Sequence, residues 1–178
     1  ASVDNIAIGA RALDGCNAAG VLRNIAIGTD ALGGLLTLGD NIAIGNDSML
    51  VAAGAANNIA IGSDTGKAIT TGAGNVIIGK SAGDAITSGA NNIAIGLNAL
   101  GASATAGDDD NVAIGKDAML VADGADQNVV IGSTAGNTIS TGVDNVIIGF
   151  DAATALATGA NNVVIGSGAG PTNLTAAS

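Results

Sequence analysis

A five-residue motif, Asn-[Ile/Val]-[Ala/Val/Ile]-Ile-Gly, occurs ten times along the 178-residue chain. Its copies begin at Asn5, Asn24, Asn41, Asn58, Asn75, Asn92, Asn111, Asn128, Asn145 and Asn162. Successive copies begin 17 residues apart, except that the spacing is 19 residues from Asn5 to Asn24 and from Asn92 to Asn111. A short repeat that covers nearly the whole chain predicts stacked structural units instead of one globular core. We number each unit from its asparagine, which is position 1.

Each unit is expected to contain a short β-strand. Position 2 is always Ile or Val and position 4 is always Ile, and β-branched residues favour an extended backbone. In a strand, positions 2 and 4 lie on one face and position 3 lies on the other. Glycine at position 5 permits a turn. We predict that positions 2 and 4, for example Ile59 and Ile61, lie inside the coil.

A second, weaker strand is predicted later in the unit, in segments such as KAITTG and NTISTG. Position 12 of these segments should point inward. It is occupied by Ile69, Ile86, Ile139 and Leu156. Ten coils stacked about 4.8 Å apart would form a body about 48 Å long. The fold class is therefore all-β, a parallel β-solenoid, with residues 1–170 as one domain and 171–178 as a C-terminal tail or a linker to a further region.

The repeated asparagine at position 1 stands where a turn meets a strand. Its side-chain amide can hydrogen-bond turn backbone groups and also its own copy in the next coil. We interpret the ten asparagines as a structural ladder in preference to a row of ligand-binding amides.

Position 3 is apolar in every unit, so the strand has no polar face, whereas a strand with one solvated face should alternate. We therefore expect position 3 to be covered by another copy of the chain. This predicted subunit interface consists of Ala7, Ala26, Ala43, Ala60, Ile77, Ala94, Ala113, Val130, Ile147 and Val164.

Composition excludes several functions. A net charge of −10 offers no surface that neutralises phosphates, so no nucleic-acid partner is expected. The apolar runs are too short to span a membrane, so no membrane insertion by this segment is expected. The chain has no His, which excludes Ser-His-Asp catalysis and imidazole metal sites. It also has no Glu, Trp or Tyr to shape a sugar-cleaving groove. We predict no enzymatic activity and no cofactor.

Acidic residues are the remaining candidates for ion binding. Asp30, Asp47 and Asp64 occupy position 7 of three successive coils, where stacked carboxylates could hold Ca²⁺. The alternative is a solvated aspartate that forms the turn after glycine. Asp108, Asp109 and Asp110 lie in a 19-residue unit, and we expect them to form a protruding acidic loop that could contact a cation or a receptor.

The hexapeptide NNIAIG, which begins at Asn57 and at Asn91, resembles the head repeats of YadA-type trimeric autotransporter adhesins. The longer unit, in residues 92–100 and in the Thr-Thr-Gly of 70–72, is similar to repeats of trimeric bacteriophage tail fibres. The resemblance implies a left-handed β-roll, three copies around a common axis, and an extracellular place on a bacterial surface or a virion. The chain departs from the pattern, because the first Asn of NNIAIG is replaced in seven units and the units are long.

Function is therefore expected to be adhesion or receptor binding by a segment of a trimeric fibre, with a host-cell or matrix receptor as partner. One alternative is an ice-binding or other repetitive-surface-binding solenoid, because hydroxyls occur at position 14. They belong to Thr37, Thr71, Ser88, Thr141 and Thr158. A purely structural fibre spacer is another alternative. The 19-residue units should keep the strand register and loop out their two extra residues, near 16–20 and 102–108.

Overall fold

The computed structural model describes residues 4–15, 23–34, 39–102 and 107–170. Each unit contributes one three-residue strand, and the described residues contain no helix. The strands are β1 (Ile6–Ile8), β2 (Ile25–Ile27), β3 (Ile42–Ile44), β4 (Ile59–Ile61), β5 (Val76–Ile78), β6 (Ile93–Ile95), β7 (Val112–Ile114), β8 (Val129–Ile131), β9 (Val146–Ile148) and β10 (Val163–Ile165). Every strand consists of positions 2 to 4, as the β-branched pattern predicts.

The ten strands form a single parallel sheet in sequence order, from β1 to β10. The chain makes one turn between successive strands, so the fold is a β-solenoid, as predicted. The two 19-residue units keep the register, since Ile6 pairs with Ile25 and Ile93 pairs with Val112. The remainder of the loop prediction falls largely on 16–22 and 103–106, outside the described residues.

The inward face of the sheet is the opposite of the predicted one. Position 3 is fully buried within the single chain from β2 to β9, and Val164 in β10 is 9% exposed. In the first coil Ala7 is exposed. Positions 2 and 4 are half-buried or exposed in every coil. The predictions that Ile59 and Ile61 lie inside and that the position 3 residues form a subunit interface are therefore wrong.

The width of the coil explains this orientation. Position 3 shares the interior with alanine or a small hydroxyl residue at position 8 and with larger side chains at positions 9 and 12. Position 3 is alanine in six of the ten units, whereas positions 2 and 4 are always Ile or Val. The interior of a 17-residue coil has room for the single column at position 3, and the two columns of bulkier residues at positions 2 and 4 therefore point outward.

Position 12 points inward as predicted, because Ile69, Ile86, Ile139 and Leu156 are all fully buried. The predicted second strand does not form in the described residues, which contain only the strands β1 to β10. In this segment the backbone N–H groups of Thr70 and Thr71 both donate to the carbonyl oxygen of Thr87 in the next coil, at 2.8 and 3.2 Å. In a regular parallel ladder, successive N–H groups do not share one acceptor, so the strand pairing is interrupted here.

Glycine at position 5 is required by both conformation and space. Its φ lies between 129° and 142° in all ten coils, a region that side chains with a Cβ rarely adopt. A Cβ on Gly45 would also lie 2.1 Å from the carbonyl oxygen of Gly62 in the next coil. The close stacking of these turns accounts for the glycine in every unit.

Candidate functional site

The position 1 asparagines form the predicted ladder along the inside of the solenoid. Each side-chain oxygen accepts hydrogen bonds from the backbone N–H and the side-chain amide of the next asparagine. For example, Asn58 Oδ1 accepts from Asn75 N at 2.9 Å and from Asn75 Nδ2 at 3.0 Å. Asn75 Nδ2 also donates to the carbonyl oxygen of Gly89 at 2.9 Å. Because the asparagines from Asn24 to Asn145 are buried and bonded to one another, the ladder stabilises the fold and presents no amide row to a ligand.

The outer face of the sheet carries two adjacent columns of Ile and Val, which we call the apolar sheet face. It consists of positions 2 and 4 of β1 to β10, twenty side chains without a polar interruption. In the middle of the rod Ile61 and Ile93 are each 36% exposed, and at the last strand Val163 is 71% exposed. A continuous apolar surface of this kind is unusual on an isolated protein and marks an interaction site.

Two exposed columns border the apolar sheet face. The amino flank is the column of residues that directly precede the position 1 asparagines. In a 17-residue unit this is position 17. It consists of Asp4, Arg23, Asp40, Asn57, Gly74, Asn91, Asp110, Gln127, Asp144 and Asn161, all of them exposed. The carboxyl flank is position 6. It consists of Ala10, Thr29, Asn46, Ser63, Lys80, Leu97, Lys116, Ser133, Phe150 and Ser167, which are exposed or half-buried.

Cations in the same chain pair with the aspartates proposed for Ca²⁺ binding at position 7. Arg11 donates two hydrogen bonds to Asp30, each 2.5 Å long. Lys67 Nζ lies 2.9 Å from Asp64 and 3.4 Å from Asp47. These hydrogen bonds hold the pKa of Asp30 and of Asp64 below the usual aspartate value. All three candidate aspartates are therefore held in ion pairs within the chain.

The acidic run at 108–110 is spread over three environments. Asp108 is buried and its Oδ1 accepts from the backbone N–H groups of Gly124 and Ala125, at 2.7 and 2.9 Å. Asp109 Oδ1 accepts from the backbone N–H of Ala90 at 2.7 Å. Asp110 alone is exposed, on the amino flank. The expectation of a protruding acidic loop is therefore wrong for Asp108 and Asp109, which hydrogen-bond the backbone of adjacent coils.

Metal-binding geometry is not found in the described part of the chain, where no three acidic, His or Cys residues are grouped so that they could hold an ion. The six candidate aspartates, at 30, 47, 64 and 108–110, are thus not brought together as one site.

Hydroxyl groups at position 14 do not form a continuous surface. Thr71, Ser88, Thr141 and Thr158 belong to this column, but Gly54 and Gly124 interrupt it. Thr37 lies outside the described residues. At position 13, Thr70 Oγ1 donates to the carbonyl oxygen of Thr87 at 3.1 Å. The lattice suggested for ice binding therefore has gaps.

No protein-family profile, curated protein or solved structure matches the chain significantly. Among the described residues, no helix has the length and apolar character needed to cross a membrane.

Sequence reasoning missed the apolar sheet face, although a signal for it was present. Positions 1 and 3 lie on the same face of the strand. An asparagine whose amide bonds both its own copy and turn backbone groups is shielded best inside the coil, so the ladder at position 1 already indicated that position 3 is inside.

Proposed function

We propose that the chain is a non-enzymatic segment of a trimeric surface fibre and that it presents an adhesive or receptor-binding surface. The observation that carries this proposal is the apolar sheet face, which runs along the entire rod from β1 to β10. A rod that leaves twenty Ile and Val side chains on one sheet face fits a subunit that packs against copies of itself.

The size of this face supports assembly. Nine strand spacings make it about 43 Å long, and the face together with its two flanks, at four outward positions per coil, is about 20 Å wide. The face and flanks together therefore cover roughly 900 Å², which is similar to the ~800 Å² that each partner contributes to a standard stable interface. The proposed interface is thus positions 2 and 4, in place of position 3.

The resemblance of the NNIAIG repeats to trimeric adhesin heads and tail fibres supports three copies around a common axis. Three apolar sheet faces turned toward that axis would enclose a shared core, and the ion-paired turns at position 7 would face outward. The same resemblance supports an extracellular location for the fibre, on a bacterial surface or a virion.

We propose no catalytic activity for this chain. The chain lacks His and Glu, and Asp30, Asp47 and Asp64 are already paired with Arg11 or Lys67. With Phe150 as the sole aromatic residue, recognition of a receptor would depend on the polar turns.

A binding assay tests this function. Fluorescently labelled protein would be incubated with mammalian epithelial cells, with immobilised collagen and fibronectin, and with intact bacteria, and compared with labelled serum albumin. Saturable binding to the mammalian cells or matrix proteins supports an adhesin, and binding to bacteria supports a phage fibre. No binding on any of these surfaces, from protein shown to be assembled, would favour a structural spacer. Thermal hysteresis in the same preparation would favour ice binding instead.

A further inference from the structure

The two flanks of the apolar sheet face differ in chemistry. The amino flank has four aspartates and one arginine, and the arginine, Arg23, is bonded to Asp40 at 2.6 and 2.8 Å. The carboxyl flank has no acid and holds two of the three lysines, Lys80 and Lys116, together with exposed Leu97 and Phe150. One flank is therefore acidic and polar, and the other is basic and partly apolar.

Closure of a ring brings unlike flanks together. When identical rods turn the same face toward an axis parallel to the rods, each contact is heterologous, so the amino flank of one subunit meets the carboxyl flank of the next. A closed ring also holds its subunits at the same height, so residues from the same coil face one another. This geometry rests on the assembly proposed above.

We propose that Asp110 of one subunit forms an ion pair with Lys116 of the neighbouring subunit, once at each of the three seams. Both residues border β7, and both are exposed. Within the described part of its own chain the Asp110 carboxylate has no hydrogen bond or ion pair. Lys116 contacts Asp117 in its own chain, so its ammonium group would bridge two carboxylates.

The other coils are compatible with this pairing. At the same height Arg23 faces Thr29 and Lys80 faces Gly74, so no two groups of like charge meet. In an antiparallel pair of rods the two acidic flanks would meet instead. The apolar columns repeat in every coil and favour no single register, whereas the charged residues do not repeat. The ion pair therefore specifies a parallel arrangement in which coil meets coil.

Disulfide trapping tests the seam. In a Cys16→Ser background, the variant D110C/K116C places its two thiols on opposite sides of β7. The strand and its two flanking residues separate them by about 13 Å, beyond the ~7 Å limit between Cα atoms for a disulfide. Only a neighbouring subunit can link them. Oxidation should convert most of the protein to a covalent three-chain species on a non-reducing denaturing gel.

Two matched variants report the competing arrangements. K80C/D110C would be linked if the subunits were staggered by two coils, and N57C/D110C would be linked if the rods were antiparallel. Efficient linking in either of these, with little in D110C/K116C, overturns the proposed pairing even where light scattering shows that the C16S parent is a trimer. A monomeric parent overturns the assembly and the seam together.

Charge exchange provides a second readout that needs no cysteine. The single substitutions Lys116→Asp and Asp110→Lys should each lower the melting temperature of the trimer by a few degrees, because like charges then meet at the seam. The double exchange D110K/K116D should recover most of that loss. Equal losses that add in the double variant would contradict the pairing.

Discussion

Ile69, at position 12, fills the space beside Gly66, at position 9. In other coils a larger side chain at position 9 fills this space. A Cβ placed on Gly66 would lie 2.9 Å from Ile69 Cδ1. In the coil below, Met49 at position 9 is fully buried and Ala52 stands at position 12. The coil that begins at Asn111 has the same arrangement, with the large Met119 at position 9 and the small Ala122 at position 12. In the coils that begin at Asn41, Asn58 and Asn111, positions 9 and 12 thus share one core slot, which holds one large side chain.

The shared slot predicts coupled substitutions. Gly66→Leu should destabilise the protein by about 1–3 kcal/mol through overpacking, and Ile69→Ala should destabilise it by about 2–5 kcal/mol through a cavity. The double variant G66L/I69A should lose clearly less than the sum, because the leucine fills the cavity. Urea denaturation measures all three free energies of unfolding. Additive losses would show that the two positions do not share space.

The asparagine ladder predicts a large loss on removal of one rung. Asn75→Ala would leave the carbonyl oxygen of Gly89 without its donor, Asn75 Nδ2, and the buried backbone N–H of Asn92 without its acceptor, Asn75 Oδ1. At about 1–3 kcal/mol for each unpaired buried group, the free energy of unfolding should fall by roughly 3 kcal/mol or more. The control is Asn91→Gly, because Asn91 is exposed and has a positive φ that glycine tolerates. Similar losses in both variants would argue against the ladder.

Glycine at position 5 should not tolerate even alanine. Gly45→Ala combines a φ of 140° with a Cβ 2.1 Å from the Gly62 carbonyl oxygen, so the coils would have to separate. We expect a loss of more than about 3 kcal/mol or failure to fold. At Gly54 the nearest atom would be 3.6 Å from the Cβ, and Gly54→Ala should change stability by under about 1 kcal/mol. Thermal unfolding followed by circular dichroism compares the two.

Because Arg11 pairs with Asp30, the titration of the Asp30 carboxylate should depend on Arg11. The hydrogen bonds from Arg11 lower the pKa of Asp30 in the folded state. The stabilisation is therefore present above the unfolded aspartate value of about 3.9 and is lost as the pH falls through the lower folded value. Carboxylate NMR should show Asp30 titrating at a higher pH in Arg11→Gln than in the parent. An unchanged midpoint would mean that the pair does not form in solution.

The strand in every coil follows directly from the sequence, because β-branched residues at positions 2 and 4 and glycine at position 5 permit little else. Alternation could not decide which face is inside, since it shows only that positions 2 and 4 lie opposite position 3. The decision depends on the volume of the coil interior, which positions 8, 9 and 12 fill together.

The turn after the strand was harder to anticipate. Position 7 and position 9 both adopt positive φ, including 49° at Leu32 and 50° at Met49, which leucine and methionine rarely accept. Local propensity gives no sign of this conformation at Leu32 and Met49, although aspartate at position 7 and glycine at position 9 of other coils favour it. The stacking of coils stabilises it, with Leu32 and Met49 buried in the core. Positions 10 to 15, where a second strand was predicted, form no strand in the described residues.

Measurement of the molar mass in solution shows whether the apolar sheet face joins subunits. Ile61 and Ile93 are each 36% exposed on this face, while Val51 and Val121, at 44% and 38%, are exposed on position 11, away from the strand. By light scattering coupled to gel filtration, the parent and V51D/V121D should have three times the chain mass of 16.6 kDa. I61D/I93D should dissociate to one chain, because six carboxylates would be buried around the axis. A parent of 16.6 kDa, or an I61D/I93D variant that keeps the mass of a trimeric parent, would show that this face does not join subunits.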